Sequence, residues 1–225
     1  MTDVAALLAA LQHGDSQFPG GGFAFSWGLE GLVAEGMVGR RDLKRFVEGQ
    51  FRQRWVSFER VVIALAHGSA DDMGALIELD DRVDAATVAA PAREGSKRAG
   101  RALLGIHAKL DTSGASTFRA EVLAERAHGH AAVVQGLVLA GTGLPRDDAL
   151  TVAAYVMAAS FCTAAVRLGL ASHLDGQKAL GELRPVIAGL VAQPLPLLDG
   201  ITSFAPAAEI AMMRHAEQDL RLFSN

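Results

Sequence analysis

The chain has 225 residues, a net charge of −4 and a single cysteine, Cys162. There is no basic excess to displace the counterions of a nucleic acid, and a lone cysteine cannot close an internal disulfide, which points to a reducing, cytoplasmic setting. Hydrophobic residues make up 50% and charged residues 20%, the balance of a chain that buries a core rather than staying disordered.

The first stretch, MTDVAALLAALQHGD, carries Val4, Leu7, Leu8 and Leu11 at helical steps of three and four. No basic residue precedes its apolar run, so it reads as a short helix rather than a secretion signal. Next comes DSQFPGGGFAFSWGLEG, residues 15–31. A phosphate loop would need a lysine soon after the glycines, and none occurs before Lys44. A dinucleotide fingerprint would need its third glycine where Phe25 stands. Ser26 is one residue from a nucleophile elbow, with Ala24 in place of the first glycine and no strand predicted ahead of it. A capping or packing serine is the better account. The glycines are read as a tight turn before a helix, placing Phe23, Phe25 and Trp27 for packing or partner contact.

Leu43, Phe46, Val47, Phe51 and Trp55 continue the helical spacing, and Phe58, Val62 and Leu65 extend it. Further helices are predicted at about 71–86, 91–109, 117–141, 147–171, 177–192 and 206–221. Asp71 and Asp147 suit helix starts, Pro206 suits a first turn, and Pro185 predicts a kink or a helix start. No stretch alternates with period two, and no long linker divides the chain. The reading is all-α: one helical-bundle domain over residues 1–225, of about eight to ten helices.

Few residues point to chemistry. His128 and His130 are two apart and diverge on a helix, and no His-Glu-x-x-His run occurs, so no metal site is assigned. Arg93, Lys97, Arg98 and Arg101 form a basic run that reads as solvated surface. Ala149 to Val166 is uncharged for 18 residues, the length of a membrane span, but it is rich in alanine and interrupted by hydroxyl side chains. It is expected to be a buried central helix, with no membrane involved. Arg167 ends that helix and can serve its last carbonyls; burial there would demand a carboxylate partner. The tail ends in Leu222 and Phe223, large apolar residues that imply docking on the chain's own core or on another protein.

Together these stretches resemble the urease accessory protein UreF family. FPGGGFAFSWGLE is similar to its amino-terminal pattern through Phe18, Pro19, Gly21, Phe23, Ser26, Gly28, Leu29 and Glu30. HAAVVQG matches a second block through His130, Val133, Val134 and Gly136, and Arg167, Gly176 and Gln177 match a third. The ending matches through Pro206, Glu209, His215, Arg221, Leu222, Phe223 and Ser224. The chain departs from the family between Arg167 and Gly176, where LGLASHLD stands in place of a Pro-Leu-Gly turn.

The resemblance implies an all-α protein that is not an enzyme and carries no cofactor. It implies a cytoplasmic adaptor, commonly dimeric, that joins UreD (also called UreH) and the GTPase UreG on the urease apoprotein for nickel insertion. Phe18, Pro19, Gly21, Phe23, Ser26, Glu30, His130, Arg167, Gln177, His215, Arg221, Leu222 and Phe223 are the residues it marks for partner binding. The tail, about 206–225, is expected to be mobile when free and to order on UreD. The alternative is a small helical enzyme or ligand-binding protein with a site assembled across helices.

Overall fold

The computed structural model describes residues 3–20, 22–196, 200–203, 205–215 and 222–224, with Phe23 described by its backbone alone. Among these residues there are eleven α-helices and no strand. They are α1 (Val4–Gly14), α2 (Leu29–Ala34), α3 (Leu43–Gln50), α4 (Glu59–Gly68), α5 (Met73–Ala86) and α6 (Ala90–Lys109), then α7 (Ala115–Leu123), α8 (Ala131–Gly141), α9 (Arg146–Arg167), α10 (His173–Val191) and α11 (Pro206–His215). A 3-10 turn at Gly22–Ala24 precedes α2, and a π-helical segment, Phe51–Trp55, follows α3 directly.

Helix α9 is the axis. Ala149, Leu150 and Ala153 at its start belong to a core shared with α4, α5, α7 and α8. Ala158, Phe161, Cys162 and Ala165 further along belong to a second core with α2, α3, α10 and α11. Its alanines let neighbouring helices come close from several sides, and α1, α4, α8 and α10 all pack on it. The helix is long and apolar enough to cross a membrane, yet more than half of its apolar window is buried inside the chain.

Several boundaries differ from those read in the sequence. The predicted helix at 117–141 is two helices, α7 and α8, because Glu125 and Gly129 take positive φ (58° and 80°) between them. Asp72, not Asp71, caps α5 by accepting from the Ala75 amide. Asp147 lies in the first turn of α9, whose cap position is Pro145. Helix α9 ends at Arg167, and Gly169 at φ 68° turns the chain where the family's Pro-Leu-Gly is missing. A capping box between Ser172 and Asp175 then starts α10 four residues earlier than predicted. Pro185 sits inside α10, and Pro206 opens α11 as expected. Residues 216–221, the end of the predicted last helix, lie outside the described residues.

The first helix is turned over relative to its apolar stripe. Ala6, Ala9 and Ala10 face the core, while Val4, Leu7, Leu8 and Leu11 are between 49% and 68% exposed. Small side chains allow α1 to lie close on α9, and that contact wins over burial of the leucines.

Candidate partner-docking surface

The amino-terminal motif and the tail meet where α2 crosses α11. Trp27 and Gly28 both take positive φ, 50° and 89°, and this pair turns the chain into α2. A Cβ on Gly28 would stand 2.6 Å from the Ala208 carbonyl oxygen, and one on Gly31 would stand 2.8 Å from that of Ala211. Only glycine at these two positions lets the helices come this close. Phe25 is buried and stacks on Trp27 with ring centroids 5.1 Å apart. Ser26 is fully buried, and its Oγ accepts the Glu30 amide at 3.2 Å, so it braces the first turn of α2, whose cap position is Gly28, and is not displayed as a nucleophile.

Glu30 gathers the ends of the chain. Its carboxylate accepts from His215 Nε2 at 2.6 Å, from the Leu222 amide at 2.7 Å and from the Phe223 amide at 3.2 Å. His215 is fully buried and Glu30 nearly so. A carboxylate in such a place is tolerated only because its oxygens are occupied, and leaving a buried group of this kind without its partner costs about 1–3 kcal/mol or more. These bonds fix the tail's backbone and leave its side chains to do other things.

Phe223 turns inward and is buried, with the Arg167 guanidinium 4.1 Å from its ring centroid. Arg167 Nη2 also donates to the Leu222 carbonyl at 3.4 Å. This arginine is exposed rather than buried. The Ser224 amide donates to the Ala24 carbonyl at 2.8 Å. Arg98 donates to the Ser224 carbonyl and lies over the Phe25 ring, 5.1 Å from its centroid. Residues 222–224 are therefore packed on the chain itself instead of hanging free. Leu222 remains half exposed.

The other marked residues fall elsewhere. Phe18, half buried, packs against His13 and His107, while Pro19 is exposed. Gln177, exposed on α10, lines one end of a groove of about 800 Å³ that runs along α9 past Arg167, Thr163 and Tyr155 to His13 and Phe18. Gly21, Arg221 and the Phe23 side chain lie outside the described residues.

His130 is fully buried at the start of α8. Its ring nitrogens meet Ser96 Oγ and Asp84 Oδ1, each at 3.1 Å. Burial lowers its pKa, working against the Asp80 and Asp84 carboxylates beside it. Asp84 is half hidden, which raises its pKa, but hydrogen bonds from Lys97 and His130 outweigh this and hold it at about 2. Asp80 is fully buried and accepts the amides of His128, Gly129 and His130 at 2.7, 2.7 and 3.0 Å. His130 thus belongs to the loop between α7 and α8, and any part it plays in binding runs through that loop.

Sequence reasoning missed Arg98, Asp80 and Arg60. The basic run is not merely solvated, because each member has an internal partner. Arg93 reaches the Thr87 carbonyl, Lys97 the Asp84 carboxylate, Arg98 the tail and Arg101 the His128 carbonyl. Arg60, fully buried, gathers the carbonyls of Leu190, Gln193 and Pro194 at the end of α10. The available signal was a charged residue inside an apolar helical stripe, at Asp80 and at Arg60. Among the described residues, no three His, Cys, Asp or Glu side chains stand together as metal ligands.

Comparison with known proteins bears on this surface. The family model described as UreF matches residues 37–184. The urease accessory protein UreF of Actinobacillus pleuropneumoniae serotype 3 is 32% identical over 222 residues, covering 96% of this chain and 98% of that protein. The protein of the same name from Haemophilus influenzae strain PittEE is 31% identical over 228 residues, covering 99% and 96%. That of Trichodesmium erythraeum is 28% identical over 231 residues, covering 100% and 99%. The alignment with the Trichodesmium protein spans the whole chain, so it takes in the amino-terminal motif and the tail, both outside the stretch matched by the family model.

Proposed function

The chain belongs to the UreF family, and from that premise we propose that it is a non-catalytic adaptor of urease maturation, bridging UreD (or UreH) and the GTPase UreG in the complex that inserts nickel into apo-urease. It works in the cytoplasm, as one domain per chain and as a homodimer, and needs no cofactor of its own. The observation that carries this reading is the joining of the amino-terminal motif to the tail. Glu30 and His215 hold the two ends together and leave Leu222 and Arg167 exposed at one surface, with half-buried Trp27 on the motif beside them. Arginine and aromatic side chains are frequent interface anchors. UreD is the partner assigned to this surface. Arg221, in the tail, is assigned to UreD with Leu222 and Phe223. Phe18 and Gln177, which line the groove, and Pro19, Gly21 and Phe23, by their place in the motif, are assigned to the remaining partners, and buried Ser26 acts only through the turn it holds.

Burial of Phe223 supports a preformed dock over a tail that orders only on binding. The partner then meets an ordered surface and does not have to offset the entropy of fixing it. The test is co-purification from cells expressing urease apoprotein, UreD and UreG. Recovery of all three with this chain, and of no GTP hydrolysis when it is alone, is expected. Failure to recover UreD or UreG contradicts the assignment. The groove is where the rival reading would place a ligand, and turnover or a tightly copurified small molecule would favour that reading.

A further inference from the structure

A hollow of about 360 Å³ lies between α3 and the start of α11, at the opposite end of α11 from His215 and the tail. Its floor is apolar: Leu32, Val38, Ala205 and Ala208 are buried beneath it, and Phe46 is half buried. At the rim stand Met37, 57% exposed, and the exposed Pro206 and Ala207. Ile210, one turn on from Pro206, is 42% exposed and extends the apolar surface along α11. Pockets for small ligands run to about 300–1,000 Å³, so this one is near the lower end and suits an anchoring side chain better than a cofactor.

Gly49 lines the hollow from α3. It takes no positive φ, and a Cβ there would meet nothing within 4 Å among the described residues. Glycine weakens a helix, and neither backbone strain nor internal packing calls for it here. What its missing side chain does is keep the hollow open.

The surroundings are basic, although the whole chain carries a net charge of −4. Arg40, Arg41, Lys44, Arg45 and Arg52 stand in one short stretch against two carboxylates, Asp42 and Glu48. Asp42 also lines the hollow, but its oxygens are taken by the Gly39 amide at 3.0 Å and by Arg45 at 2.9 Å. Glu48 is taken by Arg52 at 2.8 Å. The Arg45 side chain is 81% exposed, so its bond to Asp42 is a weak surface pair and its donor fork has room for a second carboxylate.

We propose that this hollow is a docking site for an acidic protein segment, which seats one large apolar side chain on the floor and sets its carboxylates against Arg45 and the neighbouring cations. Charge complementarity selects this occupant. A nucleic acid would satisfy the arginines and leave the apolar floor bare, whereas an apolar segment without carboxylates would leave the arginines unused. The site is separate from the dock assigned to UreD and stands whether or not that assignment holds.

The probe is a labelled synthetic peptide of Glu and Ser around a single Phe, titrated with the full chain and followed by fluorescence anisotropy at low and at raised salt. Saturable binding that weakens with salt is expected, with affinity falling about tenfold when Ala replaces the peptide's Phe. Arg45→Glu should lower the affinity by about tenfold or more. Gly49→Leu fills the hollow with a better helix former, so it should lose binding to a similar extent while melting no lower than the unaltered chain. Arg45 is exposed, so its variant carries the test if Gly49→Leu does not fold. An oligothymidylate bound as tightly as the peptide overturns the proposal, because the surface is then a general anion site. No peptide binding, or binding undiminished in either folded variant, overturns it as well.

Discussion

The Glu30 carboxylate and the His215 ring meet at 2.6 Å across 185 residues of sequence, and this bond closes the chain's two ends on one another. The same carboxylate takes the amides of Leu222 and Phe223, so the position of the tail depends on its charge. Glu30→Gln keeps the shape but turns one oxygen into a donor facing other donors. The variant is expected to lose about 1–3 kcal/mol of stability. The Leu222 and Phe223 amides should exchange with solvent faster than in the unaltered chain. Hydrogen exchange at those two amides is the check, and unchanged protection would mean that Glu30 does not hold the tail.

Acid should act on the fold through His107. Its pKa in the folded chain, about 4, lies below the ordinary 6.5, with burial the larger cause and His13 the second. The unfolded chain therefore takes up the proton first as pH falls. The contribution of the neutral ring is complete above pH 6.5 and is lost as pH drops toward about 4, to the extent of roughly 3 kcal/mol. Asp84, held at about 2 against an ordinary 3.8, gives up its share only below that window. Denaturation midpoints measured from pH 7.5 to 4.5 should fall in the unaltered chain and fall less in His107→Gln. Parallel slopes in the two proteins would place the acid sensitivity elsewhere.

The core position of α9 has its own test. Ala154 is fully buried in the middle of that helix, whereas Val156 two residues on is only half buried along the groove. Ala154→Asp would bury a carboxylate in an apolar core and is expected to cost several kcal/mol, on the order of the largest single-site effects. A soluble variant with an unchanged melting temperature would show that the helix is not at the centre.

How much of this was legible in the sequence depends on what kind of signal each feature leaves. Helical spacing named the helices because apolar side chains repeat along a single segment. It did not separate α7 from α8, since the break is made by Asp80, which lies 48 to 50 residues from the amides it holds. It also mistook the inner face of α1, because alanine at Ala6, Ala9 and Ala10 carries little hydrophobic signal and yet allows the closest packing. In the docking surface, Glu30, His215 and Arg167 were marked by family resemblance, but nothing local shows that they converge. Arg98 was hidden in a basic run, and its contact with Ser224 is visible only once the fold brings them together across 126 residues. The glycine-rich stretch was credited with the turn into α2, and among its described residues the positive φ angles belong to Trp27 and Gly28.

Leu222 offers the most direct test of the docking surface. Its side chain is half exposed, and its backbone is already held by Glu30, so Leu222→Ser should leave the melting temperature within the small range of surface substitutions. The measurement is the affinity of purified UreD for this variant and for the unaltered chain, by calorimetry at one salt concentration. If the surface made by α2, α11 and the tail is the UreD dock, the variant loses on the order of 2 kcal/mol of binding with its fold intact. UreD binding at full strength to a folded Leu222→Ser protein would contradict it.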